Sequence, residues 1–164
     1  GADLVVFNDD FNQSFAVAFK HEVLDVEPTM VQSYKAGYGI FVYLDRNNNL
    51  KGYIGGKIIT LSTYASFYEV FRDIVVWGEN GTFYAYSEGH TYELANYIPE
   101  EYTIRDGVVA FRNLNGGVSA FHNNEVEIVS NMINAPFEVN GSTVKIQVHK
   151  GNYIFFNNGA TIRQ

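Results

Sequence analysis

Apolar and aromatic residues in this chain come in short runs, and segments with Gly, Asn or Asp separate them. "LVVF", "IFVY", "IVVW", "VVAF" and "VKIQV" are five such runs. Short segments rich in β-branched and aromatic residues, bounded by turn formers, read as β-strands. No stretch of ten or more residues combines helical apolar spacing with caps. "SFAVAFKHEVLDVE" (14–27) comes nearest to a helix in composition. It stands where other parts of the chain carry two strands, so it too reads as strands.

The pattern repeats. Phe19, Tyr53, Tyr86, Phe121 and Phe156 recur at spacings of 34, 33, 35 and 35. The residue before each is Ala18, Gly52, Ala85, Ala120 and Phe155, small in four cases of five. About a dozen residues earlier a second set recurs: Phe7, Tyr43, Trp77, Phe111 and Val148. After the anchor comes an apolar–polar–apolar triplet, as in Ile59-Thr60-Leu61 and Val126-Glu127-Ile128. Tight turns with Asn or Gly flank the anchor strand, where positive φ is needed. The longer fourth connection holds all three prolines, Pro28, Pro99 and Pro136, which cannot donate within a central ladder.

The repeating unit is therefore "EEYTIRD–GVVAFRN–GGVSAFHN–NEVEIVS", a four-stranded antiparallel meander. The predicted fold is all-β, a single repeat domain over 1–164 with units near 1–29, 30–66, 67–99, 100–135 and 136–164. The first unit lacks its inner strand, giving 19 strands. Four short strands per 33–37 residues, repeated radially, resemble the blades of a β-propeller, without any diagnostic blade signature. The small-then-aromatic anchor is similar to repeats in bacterial envelope and secreted proteins. An open curved β-meander array is the alternative architecture.

Composition narrows the functions. Eleven Lys+Arg against 18 Asp+Glu give a net charge of −7, which disfavours nucleic acid and anionic membrane surfaces. With no Cys, disulfides and thiolate zinc sites drop out. No apolar run approaches the length of a membrane span. The chain opens on Gly1 and not Met, which reads as a processed or engineered start from which a leader could have been removed, and an extracytoplasmic setting is the expectation.

Strand direction alternates within a unit, so the linkers and the turns between second and third strands share one rim. The resemblance implies that this rim is the ligand face. Its varied residues make the candidate site: Asp45, Arg46, Glu79, Arg112 and His149 at turns, Tyr97 in a linker, and Trp77 at a strand end. Each also fits a plainer role, as a wet hairpin tip or, for Trp77, as core. His21, His90 and His122 fall in turns between third and fourth strands and are too dispersed for one metal ion. "NDDFNQS" and "DRNNN" share oxygen-rich composition with calcium loops but lack the Gly and Glu at their required places. No nucleophile elbow or nucleotide loop is present.

These observations point to a non-enzymatic binding or scaffold module without cofactor or metal, presenting its rim to a glycan or protein. One alternative is a hydrolase or lyase using rim carboxylates such as Asp45 and Glu79. Another is an assembly module that self-associates through an unpaired sheet edge.

Overall fold

A computed structural model describes residues 4–164. Among them, nineteen strands and no helix form five antiparallel sheets. The first sheet has three strands: β1 Leu4–Asp9, β2 Ser14–Phe19 and β3 Glu22–Glu27. The second holds β4 Ser33–Ala36, β5 Phe41–Leu44, β6 Leu50–Ile54 and β7 Lys57–Ser62. The third holds β8 Phe67–Phe71, β9 Ile74–Glu79, β10 Thr82–Ser87 and β11 His90–Ala95. The fourth holds β12 Tyr102–Arg105, β13 Val108–Arg112, β14 Val118–His122 and β15 Glu125–Ser130. The fifth holds β16 Phe137–Asn140, β17 Thr143–His149, β18 Asn152–Asn157 and β19 Ala160–Arg163. Hydrogen-bonded neighbours are always consecutive in the chain, so each sheet is the expected meander, and the first lacks the inner strand. Contacts divide the chain into two compact units, residues 1–93 and 94–164.

Turn chemistry sets the pairing. Every turn between third and fourth strands has two consecutive residues at positive φ: Lys20–His21, Gly55–Gly56, Glu88–Gly89, Asn123–Asn124 and Asn158–Gly159. Two positive φ values give the tight turn whose twist suits a hairpin. Four of the five use Gly or Asn, which tolerate that region; Lys20–His21 uses neither.

The core lies between stacked sheets. Within each unit, a sheet's leading face is the one toward the sheet that follows it in the chain, and its trailing face the one toward the sheet before. In the first unit, Leu4, Val6, Phe15 and Val17 on one leading face pack against Phe41 and Tyr43. Val42 and Leu50 on the next pack against Val75, Trp77 and Tyr86. In the second unit, Ala110, Val118 and Ala120 pack against Val144, Ile146, Ile154 and Phe156. A small residue on one leading face thus meets an aromatic on the next trailing face, the close packing that protein interiors require. One approach is closer still: a Cβ at Gly37 would overlap the Arg72 carbonyl oxygen, and the next residue, Tyr38, donates its N–H to that oxygen at 2.8 Å.

Bulges fix the register between sheets. The pairing shifts between Phe15 and Ala16, between Leu50 and Lys51, and between Val118 and Ser119. Counting from these, Ala18 stands where Tyr53 and Phe121 stand, and Phe19 stands with Ile54 and His122. The first-unit anchor expected at Phe19 is therefore displaced by one residue, and period-2 alternation puts its ring on the opposite face. In the fifth sheet, Ile146 rather than Val148 fills the slot of Tyr43: Val144 pairs with Phe156 as Phe41 pairs with Tyr53. The fourth-strand triplets also slip. Ile58, Val126 and Thr161 lie opposite the anchors, whereas the triplets begin at Ile59, Val126 and Ala160. Fourth strands are outer edges, and β19 is exposed throughout, so burial constrains their pattern least.

Candidate functional site

Turns between second and third strands lie beside the linkers in both units, and hydrogen bonds sew them together. In the first unit, Asn8 Nδ2 donates to the Val31 carbonyl at 3.0 Å, and Val31 N–H donates back to Asn8 Oδ1 at 2.9 Å. Met30 N–H donates to the Gln13 carbonyl at 3.0 Å. Arg46 Nε donates to the Met30 carbonyl at 3.2 Å, and Gln32 Nε2 to the Asp45 carbonyl at 2.8 Å. The linker after β3 thereby joins the β1–β2 turn to the β5–β6 turn.

Asp45 does not face solvent. It is 7% exposed, and its Oδ1 accepts the N–H groups of Asn47 and Asn49 at 2.8 and 2.9 Å. Oδ2 accepts Asn49 Nδ2 at 2.8 Å and pairs with Lys51 at 3.1 Å. Lys51 also donates to Glu27 at 2.7 Å, and Tyr43 OH donates to the same oxygen at 2.8 Å. Burial works to raise the Asp45 pKa, but the bonds from Asn49, Lys51 and Asn47 outweigh it and hold the carboxyl below its usual value. The bond to Glu27 raises the Lys51 pKa, burial only partly offsetting it. Burial and then Glu27 push the Tyr43 hydroxyl up. Asp45 is thus a turn staple inside an ionised network, with both oxygens occupied.

The same device recurs. Asn113 Oδ1 accepts the N–H groups of Asn115 and Gly117 at 3.1 and 2.9 Å, two and four residues on, as for Asp45. Asp9 Oδ1 accepts those of Phe11 and Asn12 at 2.9 and 3.1 Å, and Oδ2 accepts Asn12 Nδ2 at 2.8 Å. The Asn12 bonds hold the exposed Asp9 carboxyl below its usual pKa. An Asx side chain capping its own turn is the general reason these residues open turns.

In the second unit, Arg112 is fully engaged. It forms an ion pair with Glu101, donates through Nη1 to the Ala135 carbonyl at 2.9 Å, and lies 5.0 Å from the centre of the Phe137 ring. Tyr97 OH donates to the Arg112 carbonyl at 3.2 Å, and burial raises its pKa. Asn134 N–H donates to the Gly116 carbonyl at 2.9 Å. Arg112 and Tyr97 therefore tie linkers to the β13–β14 turn. His149, exposed at the end of β17, borders an open cleft of about 540 Å³ with Met132, Val148, Asn152 and Arg163. Glu79 is half-buried at the end of β9.

Trp77 lies in the core at 1% exposure, 5.5 Å from Tyr84 and nearly parallel to it. It cannot stack on a ligand from there, and its Nε1–H has no partner among the described residues. His122, read from sequence as a turn residue, is buried in β14. Its Nε2 lies 2.8 Å from Glu127 Oε1, and its ring meets Phe156 edge-on at 4.8 Å. Among the described residues, no group of three or more His, Asp or Glu could hold a metal ion.

What sequence reading missed at this end is apolar. Phe11 in the β1–β2 turn is 93% exposed, Leu114 in the β13–β14 turn 73%, and Ile133 in the following linker 70%. Ile133 lies against Gly116, whose added Cβ would come within 3.0 Å of Ile133 Cγ2. The available signal was an apolar residue within a polar turn, "RNLNGG" and "DDFNQ", which a search for charged chemistry passes over.

A family model described as the 10-bladed beta propeller domain matches residues 1–162. The chain belongs to this ten-bladed β-propeller family. Each sheet is accordingly a blade, its linkers and second-to-third-strand turns at one end. Among solved structures, the chain is similar to the computationally designed Ika8 protein at 14% identity and a TM-score of 0.50, covering 100% of this chain and 59% of that one. It is also similar to Hsv2p of Kluyveromyces lactis at 11% identity and a TM-score of 0.48, covering 98% and 59%. The N-terminal domain of Nup159 follows at 12% identity and 0.48, covering 99% and 58%. The chain thus spans less than two thirds of the structures it matches, and at these identities the likeness concerns the fold alone. No curated protein matches it by sequence. A propeller fold of this kind suits a binding or scaffold module.

Proposed function

We propose that this propeller segment is a non-enzymatic binding module whose turn-and-linker ends receive a protein partner. One observation carries the reading. The charged residues that chemistry would use, Asp45 and Arg112, are committed to holding turns, while Phe11 is exposed in the β1–β2 turn, Leu114 in the β13–β14 turn and Ile133 in the linker after β15. Exposed apolar side chains on a rigid polar frame are the usual anchors of protein recognition. Arg46 and Glu79 in the first unit, and His149 in the second, would supply polar margins. Trp77, buried in the core, offers no stacking platform for a carbohydrate. We place the module outside the cytoplasm, on the similarity of its small-then-aromatic repeat to those of envelope and secreted proteins. Localisation of a tagged chain in its host tests that part.

The binding test compares wild type with Leu114→Asp/Ile133→Asp as immobilised bait against host surface and secreted fractions, beside a glycan array. Recovery of one protein by wild type, lost in the variant at unchanged melting temperature, supports the reading. Glycan binding that survives the double substitution, or turnover abolished by Glu79→Gln, overturns it.

A further inference from the structure

Within the second unit, one residue fastens three rim segments side by side. The Arg112 N–H donates to the Glu101 carbonyl at 2.9 Å, and its guanidinium pairs with the Glu101 carboxylate. Its Nη1 reaches the Ala135 carbonyl at 2.9 Å. The linker before β12, the β13–β14 turn and the linker after β15 therefore lie in that order. Each shows an apolar side chain to solvent: Ile98 is 37% exposed, Leu114 73% and Ile133 70%. Met132, next to Ile133, continues the line into the open cleft that His149 and Arg163 border.

The charge changes sign along this line. At its start Glu100 and Glu101 are both exposed, and Arg112 offsets only one of them. At its end His149 and Arg163 are exposed, with Lys150 in the same turn as His149. Among the described residues, no Asp or Glu lines that cleft. Arg163 keeps its charge at any pH of interest. The apolar row thus runs from an acidic margin to a basic one.

We propose that this rim takes an extended peptide segment of its protein partner in one direction only. Lys or Arg of the segment faces Glu100, apolar side chains cover Ile98, Leu114 and Ile133, and Asp or Glu enters the cleft beside Arg163 and His149. The apolar contacts supply most of the affinity. The two margins supply orientation and choice of partner, because like charges at either end are repelled. A uniformly acidic segment meets Glu100, and a uniformly basic one meets Arg163. The inference rests on the protein-partner reading above and adds the chemistry and direction of what binds.

The test selects phage-displayed random peptides of about twelve residues, which span about 40 Å when extended, on the immobilised 164-residue chain. Enriched sequences should share an apolar core with Lys or Arg on one side and Asp or Glu on the other, in one order from N- to C-terminus. A synthetic enriched peptide is then titrated by fluorescence polarisation, with circular dichroism melts to confirm that each variant folds. Leu114→Asp/Ile133→Asp should weaken its binding more than about tenfold. Glu100→Lys alone, or Arg163→Glu alone, should weaken it about two- to fivefold, the worth of an exposed ion pair. A fresh selection on Glu100→Lys/Arg163→Glu should enrich peptides with the opposite charge order. Peptides that need Leu114 and Ile133 but show no charge order, or keep their order on the double reversal, overturn this inference and leave the protein-partner reading standing. A selection that enriches no peptide dependent on Leu114 and Ile133 overturns both.

Discussion

Asp45→Ala separates a structural carboxylate from a catalytic one. In the folded chain the Asp45 carboxylate accepts two backbone N–H groups and the Asn49 amide, and it pairs with Lys51. Hydrogen bonds to a charged acceptor are each worth about 1.5–3 kcal/mol by deletion, and bonds sharing one acceptor group do not add fully. Lys51 keeps Glu27 as a partner, so its charge is not stranded. The loss should come to about 2–4 kcal/mol, or roughly 5–15 °C in melting temperature for a chain of this size. Asp45→Asn should cost less, about 1 kcal/mol, because an amide oxygen can cap the turn as Asn113 does. The sign with pH follows from the depressed folded-state pKa. The stabilisation is present above the ordinary carboxyl pKa near 4 and fades as pH falls through the lower folded value. Thermal melts followed by circular dichroism at neutral and strongly acid pH give both readings. An Asp45→Ala melt within about 1 °C of wild type at pH 7 would refute the reasoning. So would a wild-type–variant gap that widens on acidification.

Two other places in the chain probe the scaffold. Lys20 and His21 hold positive φ without the residues that favour it, so Lys20→Asn/His21→Gly should raise stability by about 0.5–2 kcal/mol, measured as the midpoint of urea unfolding; a lower midpoint counts against the turn assignment. Trp77→Ala should cost about 3–5 kcal/mol through the cavity it leaves. Trp77→Phe should cost far less, because the phenyl ring fills much of the cavity that alanine leaves; equal losses in the two urea midpoints would count against a packing role for the indole.

The sequence alone determined the repeat and, among the described residues, the nineteen strands and their grouping into meanders. These rest on local chemistry: alternating β-branched and aromatic residues, and Asn or Gly where φ must be positive. Such signals survive without knowing what lies across the core. The exact register did not follow. Phe19 and Tyr53 look equivalent in sequence, yet the bulge after Phe15 sets Phe19 level with Ile54, and one residue of slip reverses a face. The candidate site was legible as a place but not as a set of residues. The turns and linkers do meet where direction counting puts them, but a carboxylate's availability depends on which N–H groups its turn aims at it. Tertiary structure therefore decided that Asp45 and Arg112 hold turns and that Trp77 is core. It also decided that Leu114 and Ile133 come to the surface beside one turn. Each of these depends on contacts between segments far apart in the chain, where burial and hydrogen bonding set a side chain's role and residue type does not.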